Sequence, residues 1–239
     1  MKKLLFIFFL LKLAVCASIG IEISGIIDSN TVWTSAGGPV SISGNIIVKE
    51  SIVLKIEPGV EVKVNGDFRL LVKGRLEARG TSQKPIKFYF GLSKSPKKSD
   101  WQGIQFFGKN AGGFLSYCEI RNAYKNLIRN CSPIIENCLL KSNSYAVYCS
   151  YSQGAKIYNN HITGNDYGVF CDYSSPIIQK NKIINNLFGI YCILSASPIV
   201  GENTVANNQE KDIYLDETMG GNKAQSINDH VYDLMKDIF

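Results

Sequence analysis

Apolar side chains recur along most of this chain at alternate positions, in runs of only three to five residues. In Val169-Phe170-Cys171 the first and third side chains fall on one face and the aromatic on the other, which is the period of an extended strand. Ile52-Leu54-Ile56, Val60-Val62-Val64 and Leu76-Ala78 repeat that alternation earlier, with Val53 as the one apolar intruder. Asn, Gly and Ser separate the runs, and Pro58-Gly59 and Asn65-Gly66 are turn dipeptides. Nothing between residues 39 and 216 leaves room for a helix. The helical period appears only at the end of the chain. Ser226-x-x-Asp229 resembles a helix start, and Ile227, Val231, Leu234 and Ile238 share one face. That pattern predicts an amphipathic capping helix over 227–238, within a C-terminal capping segment of residues 217–239.

The runs belong to a repeat. Ala146-Val147-Tyr148-Cys149, Gly168-Val169-Phe170-Cys171 and Gly189-Ile190-Tyr191-Cys192 end alike, and their cysteines are 22 and 21 residues apart. Upstream of these ends lie Asn137/Leu139, Asn160/Ile162 and Asn181/Ile183, and Asn203/Val205 continues the series. A second asparagine recurs midway, at Asn143, Asn165, Asn186 and Asn208. Three short strands in about 21–23 residues make one triangular coil, and stacked coils make three parallel sheets. Leucine-rich repeats have a similar length, but their Leu-x-x-Leu-x-Leu signature is absent. The expected interior is a pair of ladders, Val147/Val169/Ile190 and Cys149/Cys171/Cys192. The expected corners carry Asn137, Asn160, Asn181 and Asn203, because Asn tolerates left-handed backbone and its amides hydrogen-bond from coil to coil.

The run Asn181–Cys192, Asn-x-Ile-x-x-Asn-x-x-Gly-Ile-x-Cys, resembles the right-handed parallel β-helix repeat of exported bacterial proteins. That group includes polysaccharide lyases, epimerases, surface proteins and NosD-type periplasmic accessory proteins. Ile56-Glu57-Pro58-Gly59-Val60, Val72 to Thr81 and Trp101-Gln102-Gly103-Ile104 resemble the first coils of such proteins. The resemblance implies an all-β, single-stranded right-handed parallel β-helix over residues 39–216, with an N-terminal cap over 18–38, and it implies no particular chemistry.

Charge and the first residues add a location. Met1-Lys2-Lys3 followed by the apolar Leu4 to Val15 reads as a signal peptide over residues 1–17. Ordinary cleavage near Ala17 is the expectation, giving a periplasmic or extracellular protein. Leu13-Ala14-Val15-Cys16 is the competing lipoprotein box, which would anchor Cys16. No later stretch is long and apolar enough to span a membrane. Losing Lys2, Lys3 and Lys12 takes the formal net charge from +6 to +3. Residues 18–110 carry thirteen Lys/Arg against eight Asp/Glu, while residues 201–239 carry three against eight. A nucleic-acid partner would require a denser basic stripe.

Candidate chemistry is sparse. Without Cys16, six cysteines remain; the repeat accounts for three as packing, and no Cys-x-x-Cys occurs. His161 and His230 are the only histidines, so neither a metal site nor a cofactor is expected. Aligned copies place Glu136 with Asn159, Lys180 and Glu202, and Glu119 with Cys138, His161 and Lys182. No two carboxylates then meet across coils, and no catalytic residues are assigned. What the surface should present is aromatic: Tyr148, Phe170 and Tyr191 in one line, and Tyr145, Tyr167 and Phe188 in a second. Rings spaced along a rod suit a sugar chain or a protein, or they stabilise neighbouring coils by stacking. The expectation is a binding or structural protein presenting a rigid surface to a polysaccharide or cell-envelope component. A carbohydrate-active enzyme and a NosD-like accessory protein are the alternatives, and no oligomeric state is implied.

Overall fold

The structure is a computed structural model, and it describes residues 21–216. Chain alternation and repeat together give 24 short strands, all paired in parallel, wound into a right-handed solenoid of about nine turns. Each turn visits three faces in a fixed order. The first face holds Glu61–Val64, Ile86–Phe90, Cys118–Arg121, Leu139–Lys141, His161–Thr163, Lys182–Ile184 and Thr204–Ala206. The second holds Arg69–Val72, Gly103–Phe107, Lys125–Arg129, Tyr145–Ser150, Tyr167–Asp172, Phe188–Ile193 and Lys211–Leu215. The third runs from Thr31–Trp33 to Ile199–Gly201. Near the start, Val40–Val48 bends around a corner: Val40 pairs with Val62 on the first face and Ile46 with Leu70 on the second. This one strand joins two faces into a single 16-stranded sheet.

Within the segment 18–38 expected as an N-terminal cap, residues 21–33 are wound into the sheets. Ile21–Ile27 lies parallel to Val40–Val48, and Thr31–Trp33 to Val53–Ile56. They are a partial coil at the edge of the described stack, where Ile21, Ile26 and Val32 stay exposed. The helix expected over 227–238, the signal peptide and Cys16 lie outside the described residues.

The interior is one continuous apolar core from Trp33 to Val200. The alternating runs supply it as expected, with Leu54, Ile56, Val60, Val62, Val64, Leu76 and Ala78 all buried. Each such aliphatic contributes about 1.5–3 kcal/mol on leaving water. Val169 and Cys171 point inward between their counterparts in the coils above and below, through Val147↔Val169↔Ile190 and Cys149↔Cys171↔Cys192.

In the later coils each corner turns through a left-handed residue. At the third-to-first corner these are Tyr117, Asn137, Asn159, Lys180 and Glu202; at the first-to-second corner, Asn122, Ser142, Gly164, Asn185 and Asn207. The second-to-third corner instead uses Gly108, Asn130, Tyr151, Tyr173 and Leu194. Asn and Gly adopt this backbone at little cost, whereas for a bulky side chain it costs about 1–2 kcal/mol. Two of the first ten or so residues after Phe90 also matter to the shape. The loop through Leu92 to Asp100 folds along the first-to-second corner, where Ser99 Oγ meets Ser144 Oγ at 2.7 Å and Lys98 Nζ reaches Asp166 Oδ1 at 2.6 Å.

Candidate functional site

Two amide ladders hold the later coils in register and so position everything on their surface. At the third-to-first corner, Asn160 Nδ2 donates to Asn181 Oδ1 and Asn181 Nδ2 to Asn203 Oδ1, both at 2.9 Å. At the first-to-second corner the chain of donors runs Asn143, Asn165, Asn186, Asn208 and ends on Asp212 Oδ1. Each amide also saturates main-chain groups: Asn181 Oδ1 accepts the Asn160 N–H at 3.0 Å, and its Nδ2 donates to the Ile157 carbonyl at 2.8 Å. The glycine before the core valine has a reason here. A Cβ on Gly168 would lie 2.6 Å from the Gly189 carbonyl oxygen, and 3.4 Å from Asn186 Nδ2.

Asn137 does not belong to this ladder. The slot is filled by Cys138, whose N–H donates to Asn160 Oδ1 at 2.9 Å, while Asn137 sits one residue earlier, in the left-handed column beside Asn159. Asn137-Cys138-Leu139-Leu140 offers two aliphatics in succession, and burial selects Leu140 as the inward one. The same one-residue slip corrects two alignments. Glu136 pairs with Tyr158 and then Gln179, and Glu119 with Leu139 and then His161.

The second face carries the aromatics on its outer surface, and both expected lines are there. Tyr145 stacks on Tyr167 at 4.7 Å with 6° between the planes, and Tyr167 on Phe188 at 5.0 Å with 11°. In the other line Phe170 stacks on Tyr191 at 5.4 Å, Tyr191 on Tyr214 at 4.4 Å, and Tyr148 meets Phe170 edge to face at 4.7 Å. Edge contacts such as Tyr167–Phe170 at 5.2 Å and Phe188–Tyr191 at 5.0 Å fuse the two lines into one layer. Phe170 is wedged at the centre and only 8% exposed. Ring faces are therefore occupied largely by other rings, and what the layer offers outward is edges and phenol hydroxyls. Such stacked pairs each add about 0.5–1.5 kcal/mol beyond burial.

A charged cluster borders this layer. Lys125 Nζ lies 4.3 Å from the Tyr148 ring centroid, where burial holds its ammonium below the usual lysine range against the pull of Asp172. Tyr148 donates its hydroxyl to Asp172 Oδ2; burial first, and this hydrogen bond second, push its phenol well above the ordinary value. Asp172 Oδ1 is buried with no hydrogen-bond partner among the described residues. Lys125 takes the place that tyrosine holds in the next coil, through Lys125↔Tyr145. Asp172 follows the inward Cys171 and so faces out.

The sequence model for the "right handed beta helix region" matches residues 97–235, more than half of the chain. The chain belongs to this family. Comparison with curated proteins and with solved structures gave no match.

In this β-helix several other titratable groups form ion pairs. On the first face Glu61 accepts from Lys87 Nζ at 2.9 Å and from Tyr89 at 3.0 Å, and the Lys87 bond is the main reason its carboxyl is held low. Glu119 pairs with Arg121 at 2.5 Å and Lys141 at 3.5 Å. Burial raises its carboxyl, but these two cations outweigh burial and keep it below the ordinary range. Lys87 stands in register between Glu61 and Glu119, so the two carboxylates are two coils apart with a cation between them. Glu61 and Glu77 occupy the first and third faces respectively. The six described cysteines are free thiols in the interior. For Cys171 the hydrogen bond from the Cys149 contact, then burial, push the thiol well up; burial pushes Cys131 to about 12. Among the described residues no three His, Cys, Asp or Glu side chains converge as metal ligands, and no helix is long and apolar enough to cross a membrane.

Proposed function

We propose that this β-helix is an exported binding and structural protein that offers its second face, as a rigid surface, to a glycan or another cell-envelope component. The observation that carries this reading is the fused aromatic layer, in which Tyr145, Tyr148, Tyr167, Tyr191 and Tyr214 contribute hydroxyls to a surface of mutually stacked rings. Ring edges and phenols are amphipathic contacts of low conformational cost, since stacking has already fixed the side chains. The apolar stretch from Leu4 to Val15 supports delivery outside the cytoplasm. Retention of the purified protein on insoluble polysaccharides and isolated envelopes tests the reading. Tyr145→Phe, Tyr167→Phe and Tyr191→Phe together keep every ring and remove three hydroxyls; retention should fall about a hundredfold if each contributes about 1 kcal/mol. Unchanged retention, or cleavage of any polymer, overturns the proposal.

A second reading, a carbohydrate-active enzyme, has one observation in its favour. The orphan oxygen of Asp172, beside Tyr148 and within the field of Lys125, is a polar group kept desolvated at a cost. On that reading Asp172→Asn abolishes cleavage of a polymer the wild type degrades.

A further inference from the structure

A groove of about 400 Å³ lies at the corner between the second and third faces, away from the aromatic layer's centre. It exists because one column of side chains is interrupted. Arg75 is in register with Gly112, and a Cβ built on Gly112 would touch nothing within 4 Å. The adjacent Gly113 is different: its φ is +129° and a Cβ would fall 2.0 Å from the Leu76 carbonyl oxygen, so the backbone itself forms the floor. Arg75 and Lys109 line the groove with Asn130, Gln153 and the ring of Tyr151, and no carboxylate is among the lining residues. Glu77 approaches Arg75 at 3.7 Å only, which leaves most of the guanidinium donors unused. Cys131, at the base, stays a neutral thiol because burial raises it to about 12.

Tyr151 is held here at a cost. It sits in the left-handed column at φ +48° and is 51% exposed, where the equivalent residue one coil earlier is Asn130 at φ +55°. Asn suits that backbone and tyrosine does not. Tyr173, equally strained at φ +41°, stacks on it at 5.0 Å and 13°, and Arg129 lies 5.5 Å from its ring. Two strained, exposed aromatics at one corner, beside Arg75, Lys109 and neutral amides, are an arrangement that stability alone does not favour.

We propose that this groove binds a hydroxylated ring bearing one anionic group, a sugar phosphate or a uronate. Arg75 and Lys109 take the anion, Asn130 and Gln153 the hydroxyls, and the exposed edge of Tyr151 the apolar side of the ring. The site does not depend on the aromatic layer serving as a glycan surface, and its test leaves the layer untouched.

Calorimetric titration of the full chain with glucose 6-phosphate, glucuronate and neutral glucose separates the sources. Binding of one or both anions, at least tenfold tighter than glucose and weakened by salt, is the expected result. The stronger of the two identifies the anion. Arg75→Gln and Lys109→Gln should each weaken binding about tenfold, and Gly112→Gln, which fills open space without strain, should abolish it. Tyr151→Asn should weaken binding at least fivefold while raising the melting temperature, a combination that a purely structural tyrosine would not give. Glucose binding as tightly as the anions, no binding of any probe at millimolar concentration, or binding indifferent to Gly112→Gln in a folded variant overturns the proposal.

Discussion

Between Val40 and Phe107 the solenoid is closed by bulk: Leu54, Ile56, Leu70, Leu76, Phe88, Trp101 and Phe106 fill the interior, and turns such as Pro58-Gly59 differ from coil to coil. From Cys118 onward the interior shrinks to Ile, Val, Leu, Ala and Cys, without a buried inward aromatic, and buried amides do the work at two corners. Coil length explains the change. Where successive coils differ in length the side chains that stack in register are apolar, as in Leu54 on Leu76 and Val48 on Val72, and apolar volume seals the coil. Once the spacing settles at 21 and 22 residues, identical amides fall above one another, and each satisfies the next as well as the backbone. One stack thus uses two solutions to the problem of closing a parallel coil.

The sharpest way to break the contrast is to remove one rung. Asn181→Ala strands the Asn160 N–H, the Asn160 amide and the Ile157 carbonyl, at about 1–3 kcal/mol for each group that water does not reach, so a loss of about 4 kcal/mol in denaturant unfolding is expected. In the early coils the comparable injury is a cavity: Leu76→Ala should cost about 3 kcal/mol. The small interior of the later coils should matter less, with Cys171→Ala costing about 1 kcal/mol because only a sulfur is lost. A value near that of Leu76→Ala would show that the later coils depend on their core as heavily as the early ones do.

The smallest effect concerns acid. Glu61 and Glu119 both have carboxyls held below their ordinary value, so their contribution is complete above the unfolded carboxyl range near 4.5 and is lost as pH falls through the lower folded values. Both groups are partly solvated, so each Glu→Gln change should cost under about 1 kcal/mol at pH 7 and progressively less as pH falls below the unfolded carboxyl range, read from melting curves. The uncharged amides of the ladders should show no such dependence.

Much of this contrast was legible from residue order. The strand endings at Cys149, Cys171 and Cys192 reveal coil length, and alternation assigns inside and outside correctly along Val169 to Cys171. Asn137 misled because it precedes two leucines, and only side-chain burial distinguishes Leu139 from Leu140. The aromatic lines were visible; their fusion into one layer was not, because ring contacts such as Tyr167–Phe170 depend on side-chain angles that spacing does not encode. The meeting of Lys125 and Asp172 at Tyr148 was not legible for a related reason, as each stands where the repeat has another residue type. The corner groove was harder still. Arg75, Lys109 and Tyr151 come from different coils, and a missing side chain at Gly112 leaves no signature in a pattern of side chains.

The loop through Leu92 to Asp100 changes how such a rod can come apart. In a repeat stack each coil touches only the next, so unfolding can run inward from a free end one coil at a time. Lys98 and Ser99 instead reach the coils of Asp166 and Ser144, bypassing the strand Lys125–Arg129 that lies between in the winding. That tie couples non-adjacent turns like a staple across the pages of a bound book. Fraying from the far end should therefore meet its first obstacle at Asp166, where the next coil is lost only if the staple is lost with it.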